Sequence, residues 1–181
     1  MLNHCVRTFL FADALGKRDA LKPDPELLYL GCILHDLGLT EYGEGESRFE
    51  VDGADAARQF ILTHGLPESK AEIVWDAIAL HSTLSIAIRK RPEIALLSLG
   101  AGMDVVGLGL EDMDSAMVEK VLATFPRLGL KAAFTELLVA HIRRKPQVAP
   151  LTWLADVARS HAPDLQLFCF ADFMQNSPYS E

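Results

Sequence analysis

The sequence predicts an all-α protein, on three observations. Apolar residues recur at three- and four-residue spacing along most of the chain, as in Val6, Phe9, Leu10 and Ala14. The segments so defined open on helix starters and close on glycine. No stretch alternates apolar and polar residues in the way a half-buried strand would, and no internal repeat is found.

The elements follow in order. A first helix is expected over residues 3–15, stopped by Gly16. Asp24-Pro25 is a good start for the second, with Asp as cap and Pro in the first turn, and that helix runs to about residue 36. The segment TEYGEGESRF, residues 40–49, is polar and glycine-bearing and reads as loop. Asp52 is expected to cap a third helix through Ala54, Ala57, Phe60 and Ile61 to His64, closed by Gly65. Pro67-Glu68 opens a fourth, with Ile73, Ala77, Ile78 and His81 on related faces. An apolar helix over 92–106 carries Asp104 among Leu96, Leu97, Leu99, Val105 and Val106. Helices over 114–125, 130–144 and 152–160 complete the set. The tail after Asp164 starts apolar, and its first part is expected to dock on the body.

A length of 181 residues fits one domain, 1–181, large enough to bury a core without disulfides or zinc staples. Within it a core over about 1–110 is expected, with helices over about 111–176 packing on it. Half the residues are hydrophobic and 23% are charged, the profile of a soluble globular protein. The net charge of -8 argues against a broad nucleic-acid surface, which needs clustered Lys and Arg. Cys5, Cys32 and Cys169 are far apart and lack CxxC spacing, so neither a disulfide framework nor a zinc knot is indicated, and a reduced, cytoplasmic setting is expected. No transmembrane run is present, so no membrane partner is expected.

The chemistry concentrates at His35-Asp36, which ends the apolar run LLYLGCIL and precedes Gly38. Polar groups at the end of a greasy element are costly unless compensated, and a divalent cation compensates both by taking them as ligands. Neighbours in mid-helix point about 100° apart, so both reach one ion only near a helix end, which Gly38 supplies. His4, His81 and Asp104 stand where further donors are needed. Asp104 lies in an apolar helix with nothing basic nearby in sequence, so it needs a partner. His4 falls in the first turn of its helix, where fraying would weaken it as a ligand. Two imidazoles and two carboxylates suit zinc, iron(II) or manganese(II) better than calcium. Water on such an ion has a lowered pKa and is nucleophilic near neutral pH.

Other conspicuous residues have plainer readings. His64 before Gly65 is a helix C-terminus, His141 in AHIRRKP complements a helix dipole, and His161 is surface. Trp75 and Trp153 are core or pocket wall, and Arg89-Lys90-Arg91 is a solvated run. Gly100, Gly102, Gly107 and Gly109 lack the Gly-Lys-Ser/Thr ending of a phosphate loop and serve close helix packing.

The order His4, His35-Asp36, Asp104 resembles the H…HD…D signature of the HD-domain superfamily of metal-dependent enzymes, and is closer to its cyanamide hydratase-like branch. The residues that carry the likeness are NHCVRTFLFA from Asn3, LGCILHDLGLT from Leu30, RFEVDGADAA from Arg48, WDAIALHST from Trp75 and GAGMDVVG from Gly100. The resemblance implies a helical bundle with a central metal site. It implies His4, His35, Asp36 and Asp104 as ligands of one divalent metal ion, zinc or iron first and manganese next. It also implies Glu50 and His81 as groups lining the site. Glu50, or Asp36, would take a proton from the activated water. His81 would bond the substrate or shuttle a proton, its ordinary pKa lying near the working range.

Three functions follow as expectations. The first is a metal-dependent hydratase or hydrolase of a small molecule, such as a nitrile like cyanamide. The second is an HD-type phosphohydrolase of a nucleotide or phosphoester, with Arg7, Arg48 and Arg89 to Arg91 as cationic clamps. The third is an HD domain that binds metal or ligand without turnover. Leu137, Leu138 and Phe168 offer apolar surface for a homodimer.

Overall fold

The structure, a computed structural model, describes residues 1–179. The described residues form ten α-helices and three short 3-10 turns, and no strand occurs among them. They fall into two compact units, the first Met1–Leu130 and the second from Lys131 onward.

The first unit contains α1 (Leu2–Arg18), α2 (Pro25–Leu34), α3 (Phe49–Thr63), α4 (Glu68–Leu80), α5 (Leu84–Ala87), α6 (Pro92–Val106) and α7 (Ser115–Thr124). Asp24 caps α2, its side chain accepting from the backbone N–H groups of Glu26 and Leu27, with Pro25 in the first turn. Asp114 caps α7 in the same way through Ala116. The apolar faces of α1, α2, α3, α4 and α6 meet in one core that includes Phe11, Leu28, Ile61, Ile78, Leu96 and Leu97. Trp75 packs on its edge, its indole N–H donating to Asp55.

Two close approaches set this packing. A Cβ at Gly100 in α6 would stand 2.5 Å from the Thr8 carbonyl oxygen of α1, so only glycine lets these helices pack as they do. A Cβ at Gly38, in the 3-10 turn Leu37–Leu39, would stand 2.0 Å from the Phe49 carbonyl oxygen at the start of α3. That turn follows His35 and Asp36 directly, so Gly38 presses the end of the His-Asp segment against α3.

Several sequence expectations for the first unit need correction. Gly16 does not stop α1. It is buried against Leu96, and the helix continues to Arg18, ending on Lys17 and Arg18, which suit a C-terminal dipole. Asp52 does not cap α3, because it already lies within the first turn of a helix that begins at Phe49. Its carboxylate instead accepts from the backbone N–H groups of Gly45 and Ser47, which ties down the glycine-rich loop. The short α5 carried no periodicity long enough to predict it. His4 is in a formed first turn of α1 and is buried, not frayed.

The second unit contains α8 (Leu130–Arg144, all but its first residue), α9 (Leu154–His161) and α10 (Phe170–Gln175). Arg143 pairs with Asp164 through two hydrogen bonds. His141 lies in the basic last turn of α8, as expected, and is fully buried; Leu138 is also buried, so of the three residues suggested for a dimer surface only Phe168 is well exposed. No helix among the described residues is long and apolar enough to cross a membrane.

Two outcomes test this packing. Gly38→Ala is expected to lower stability by at least about 1–3 kcal/mol in denaturant titrations, the usual cost of overpacking; an unchanged midpoint contradicts the close approach. Cys5 and Cys32 are buried, and burial pushes the Cys5 thiol up to about 12, so the native protein should be alkylated rapidly at Cys169 alone. Equal labelling of all the cysteines before unfolding contradicts it.

Candidate metal centre

His35 is the C-cap of α2, still helical at φ -62° and ψ -29°, whereas Asp36 leaves the helix at φ -98° and ψ 13°. This break lets adjacent side chains turn toward one point, as the helix-end argument required. The His35 Nδ1–H donates to the carbonyl of Cys32 at 2.8 Å, three residues back. A carbonyl only accepts, so Nδ1 carries the proton and Nε2 presents a lone pair.

His4 reaches the same point from α1. Its Nδ1 stands 2.6 Å from Asp104 Oδ2. Asp104 also accepts from Arg7 Nε at 2.7 Å and Arg7 Nη2 at 2.8 Å, and from Arg127 at 3.2 Å. A carboxyl facing two guanidinium groups is ionised and only accepts, so His4 Nδ1 carries its proton too. Its Nε2 lies 3.1 Å from His35 Nε2. Asp36 Oδ2 lies 3.5 Å from the one Nε2 and 3.4 Å from the other, and neither Asp36 oxygen has a hydrogen-bond partner. All three residues are buried.

Two lone pairs and an unbonded carboxylate therefore face one another away from water. A proton shared between the rings would join the nitrogens and leave Asp36 unbonded. A cation can satisfy all three. Donors each about 2.0–2.2 Å from one ion stand about 3.0–3.5 Å apart at right-angled to tetrahedral spacing, and the three observed distances fall in that range. His4, His35 and Asp36 thus form a group that could hold a metal ion. The electrostatics agree. Burial, then the neighbouring His4, pushes His35 down to about 3, so it is neutral and available as a ligand. Burial raises the pKa of Asp36, the mark of a carboxylate without its counter-charge.

Asp104, expected as a fourth ligand, is not in this group. It stands behind His4. No basic residue flanks it in sequence, yet Arg7 and Arg127 neutralise it in space. Burial is the largest influence on its carboxyl and acts upward, but the bonds and charges of His4 and Arg7 together outweigh it and hold the pKa below the usual value.

Glu50 and His81 lie close by. His81 is the C-cap of α4 and repeats the His35 device: its Nδ1–H donates to the Ile78 carbonyl at 2.7 Å, leaving Nε2 as an acceptor. Ser98 of α6 donates to the His81 carbonyl at 2.7 Å and fixes the turn. The His81 ring packs edge-on against His35 at 5.0 Å and against Phe49 at 5.8 Å. Burial, then His35, lowers its pKa to about 4. Glu50 is fully buried in the first turn of α3 and accepts from Arg48 at 3.0 and 2.6 Å and from Ser82 Oγ at 2.6 Å. The bond to Glu50 raises the Arg48 pKa, so the pair is firmly ionic. Both Glu50 and His81 are near enough to Asp36 for their charges to act on it.

Ser82, Ser98 and Arg127 escaped sequence reasoning. Ser82 had a signal, being adjacent to His81; Ser98 and Arg127 had none. Arg7 had been considered only as a clamp for phosphate, although its place one turn after His4 sets both on one face of α1.

The family profile described as HD domain matches residues 1–116. Two proteins of Saccharomyces cerevisiae, cyanamide hydratase DDI2 and cyanamide hydratase DDI3, are each 26% identical over 151 residues, covering 81% of this chain and 67% of theirs.

Asp36→Asn is expected to act in opposite directions on two measurements. It should abolish retention of a divalent ion through gel filtration, and it should stabilise the metal-stripped protein by about 1–3 kcal/mol, because an unbonded buried charge is removed. Loss of stability in the metal-stripped variant would contradict the arrangement.

Proposed function

Because this chain belongs to the HD-domain family, we propose that it is a metal-dependent hydratase that adds water across the carbon–nitrogen triple bond of a small neutral nitrile of the cyanamide type. The observation that carries the reading is the buried trio of His4, His35 and Asp36, whose lone pairs converge with no proton placed to satisfy the carboxylate. The name of the yeast relatives supports the choice of substrate.

His4, His35 and Asp36 would hold the ion. A divalent cation bound there, zinc, iron(II) or manganese(II), would supply nucleophilic water near neutral pH and stabilise negative charge. The remaining chemistry belongs to the side chains. The oxygen of water bonds to the nitrile carbon while one of its protons leaves and a proton arrives at the nitrogen, which gives an imidic acid; its remaining hydroxyl proton then passes to the same nitrogen, and the product is an amide. Glu50, with Asp36 beside it, takes the departing proton. His81 presents an unprotonated Nε2, so it relays that proton to the substrate nitrogen and does not act as a standing cation. Arg48 and Ser82 keep Glu50 in one orientation.

The disposition of cations favours a neutral substrate over a phosphoester. Phosphoryl chemistry wants guanidinium groups turned to the substrate. Arg7 is fully buried, bonded to Asp104 and to the carbonyls of Phe125 and Pro126. Arg48 is bonded to Glu50, and the run Arg89-Lys90-Arg91 is exposed, with Lys90 paired to Asp76.

Metal-loaded protein assayed against cyanamide, simple nitriles, nucleotides and generic phosphoesters should form amide from a nitrile and release no phosphate; the reverse pattern would favour the phosphohydrolase, and inertness toward every substrate would favour a binding role. Glu50→Gln and His81→Ala should each retain metal while losing about 10²–10⁴-fold in kcat, the usual contribution of a positioned acid or base. Full turnover in either variant removes that residue from the mechanism.

A further inference from the structure

The family match ends at residue 116, yet the orientation of His4 depends on chain beyond it. Asp104 accepts from His4 Nδ1 and from Arg7 Nε and Nη2. Arg127 bonds its Oδ1 and also donates to its backbone carbonyl, in the last turn of α6. Arg7 Nη1 donates at 2.9 and 3.2 Å to the carbonyls of Phe125 and Pro126. Asn3, in the same turn of α1 as His4, donates to the Pro126 carbonyl as well. The segment 125–127 is thereby pinned to both helices that carry His4 and Asp104.

The geometry points to Arg7 and Arg127 as positioning residues of the metal centre: through Asp104 they fix the tautomer and direction of the His4 ring, so that its Nε2 faces His35 and Asp36. A carboxylate offers about four lone-pair sites. His4, Arg7 twice and Arg127 occupy them. Through its bond to His4 Nδ1, Asp104 acts on the imidazole. A carboxylate behind a ligating histidine raises the basicity of the ring and holds it in place, and loss of such a partner lowers metal affinity by about 10–100-fold. Arg7 donates in a rigid fork that matches both carboxylate oxygens, which a lysine cannot reproduce. Arg127, with its side chain 32% exposed, completes the set from the loop before α8.

This inference rests on the metal reading only for its affinity arm. The first arm uses the full-length, metal-stripped, 15N-labelled protein in mildly alkaline buffer, where two-bond 1H–15N spectra report the protonated nitrogen of each imidazole. His4 is expected as the Nδ1–H tautomer in the wild type and as a mixture in Arg7→Met and Arg127→Gln. The second arm titrates the same proteins with zinc against a competing chelator. Affinity is expected to fall about 10–100-fold in Arg7→Met, less in Arg127→Gln, and to recover in part in Arg7→Lys. Arg127→Gln changes a partly exposed side chain and decides the matter if Arg7→Met does not fold. A wild-type His4 protonated at Nε2, or variants that keep both tautomer and affinity, would overturn the assignment. A wild type that binds no zinc but shows the expected tautomers would instead overturn the metal reading and leave this one standing.

Discussion

Two imidazole lone pairs held 3.1 Å apart beside a buried carboxylate repel one another, and the fold brings them together from two different helices. Each of the three groups would be better solvated apart. A positive charge among them relieves that repulsion, and a cation can also satisfy Asp36, whose oxygens have no hydrogen-bond partner. The rest of the first unit can be understood as the apparatus that holds this arrangement against its own repulsion.

Three devices do the holding. His35 and His81 both sit at helix C-caps, and both donate Nδ1–H to the carbonyl three residues back, so each ring is anchored by its own helix and exposes Nε2. His4 has no such carbonyl and is anchored across the fold by Asp104, itself gripped by Arg7 and Arg127. Glu50 is set by Arg48 and Ser82. The glycines contribute by absence of side chain: Gly38 brings the His-Asp turn onto α3, and Gly100 brings α6, with Asp104, onto α1, with His4.

Much of this was legible in the sequence. The helices over 92–106 and 130–144 fall where periodicity put them, and Asp24 acts as the cap its position suggested. The His-Asp pair stood out because its residue types are expensive where they lie. The misses share a cause, which is tertiary contact that local rules do not see. Gly16 is a stop signal overridden by packing on Leu96, and Asp52 looks like a cap but ties down a loop. Asp104 was marked as needing a partner, and its partners lie 97 and 23 residues away in sequence. Glu50 was legible only through family resemblance, since nothing in its local context marks a first-turn acid as anything but a dipole complement.

The central claim concerns where one ion sits, and anomalous diffraction from crystals of the metal-loaded protein, collected at the absorption edge of the bound element, measures that directly. One peak is expected, about 2.0–2.2 Å from His4 Nε2, His35 Nε2 and an Asp36 oxygen together. No peak there, or a peak bonded to other residues with these three donors left facing one another, would contradict the account.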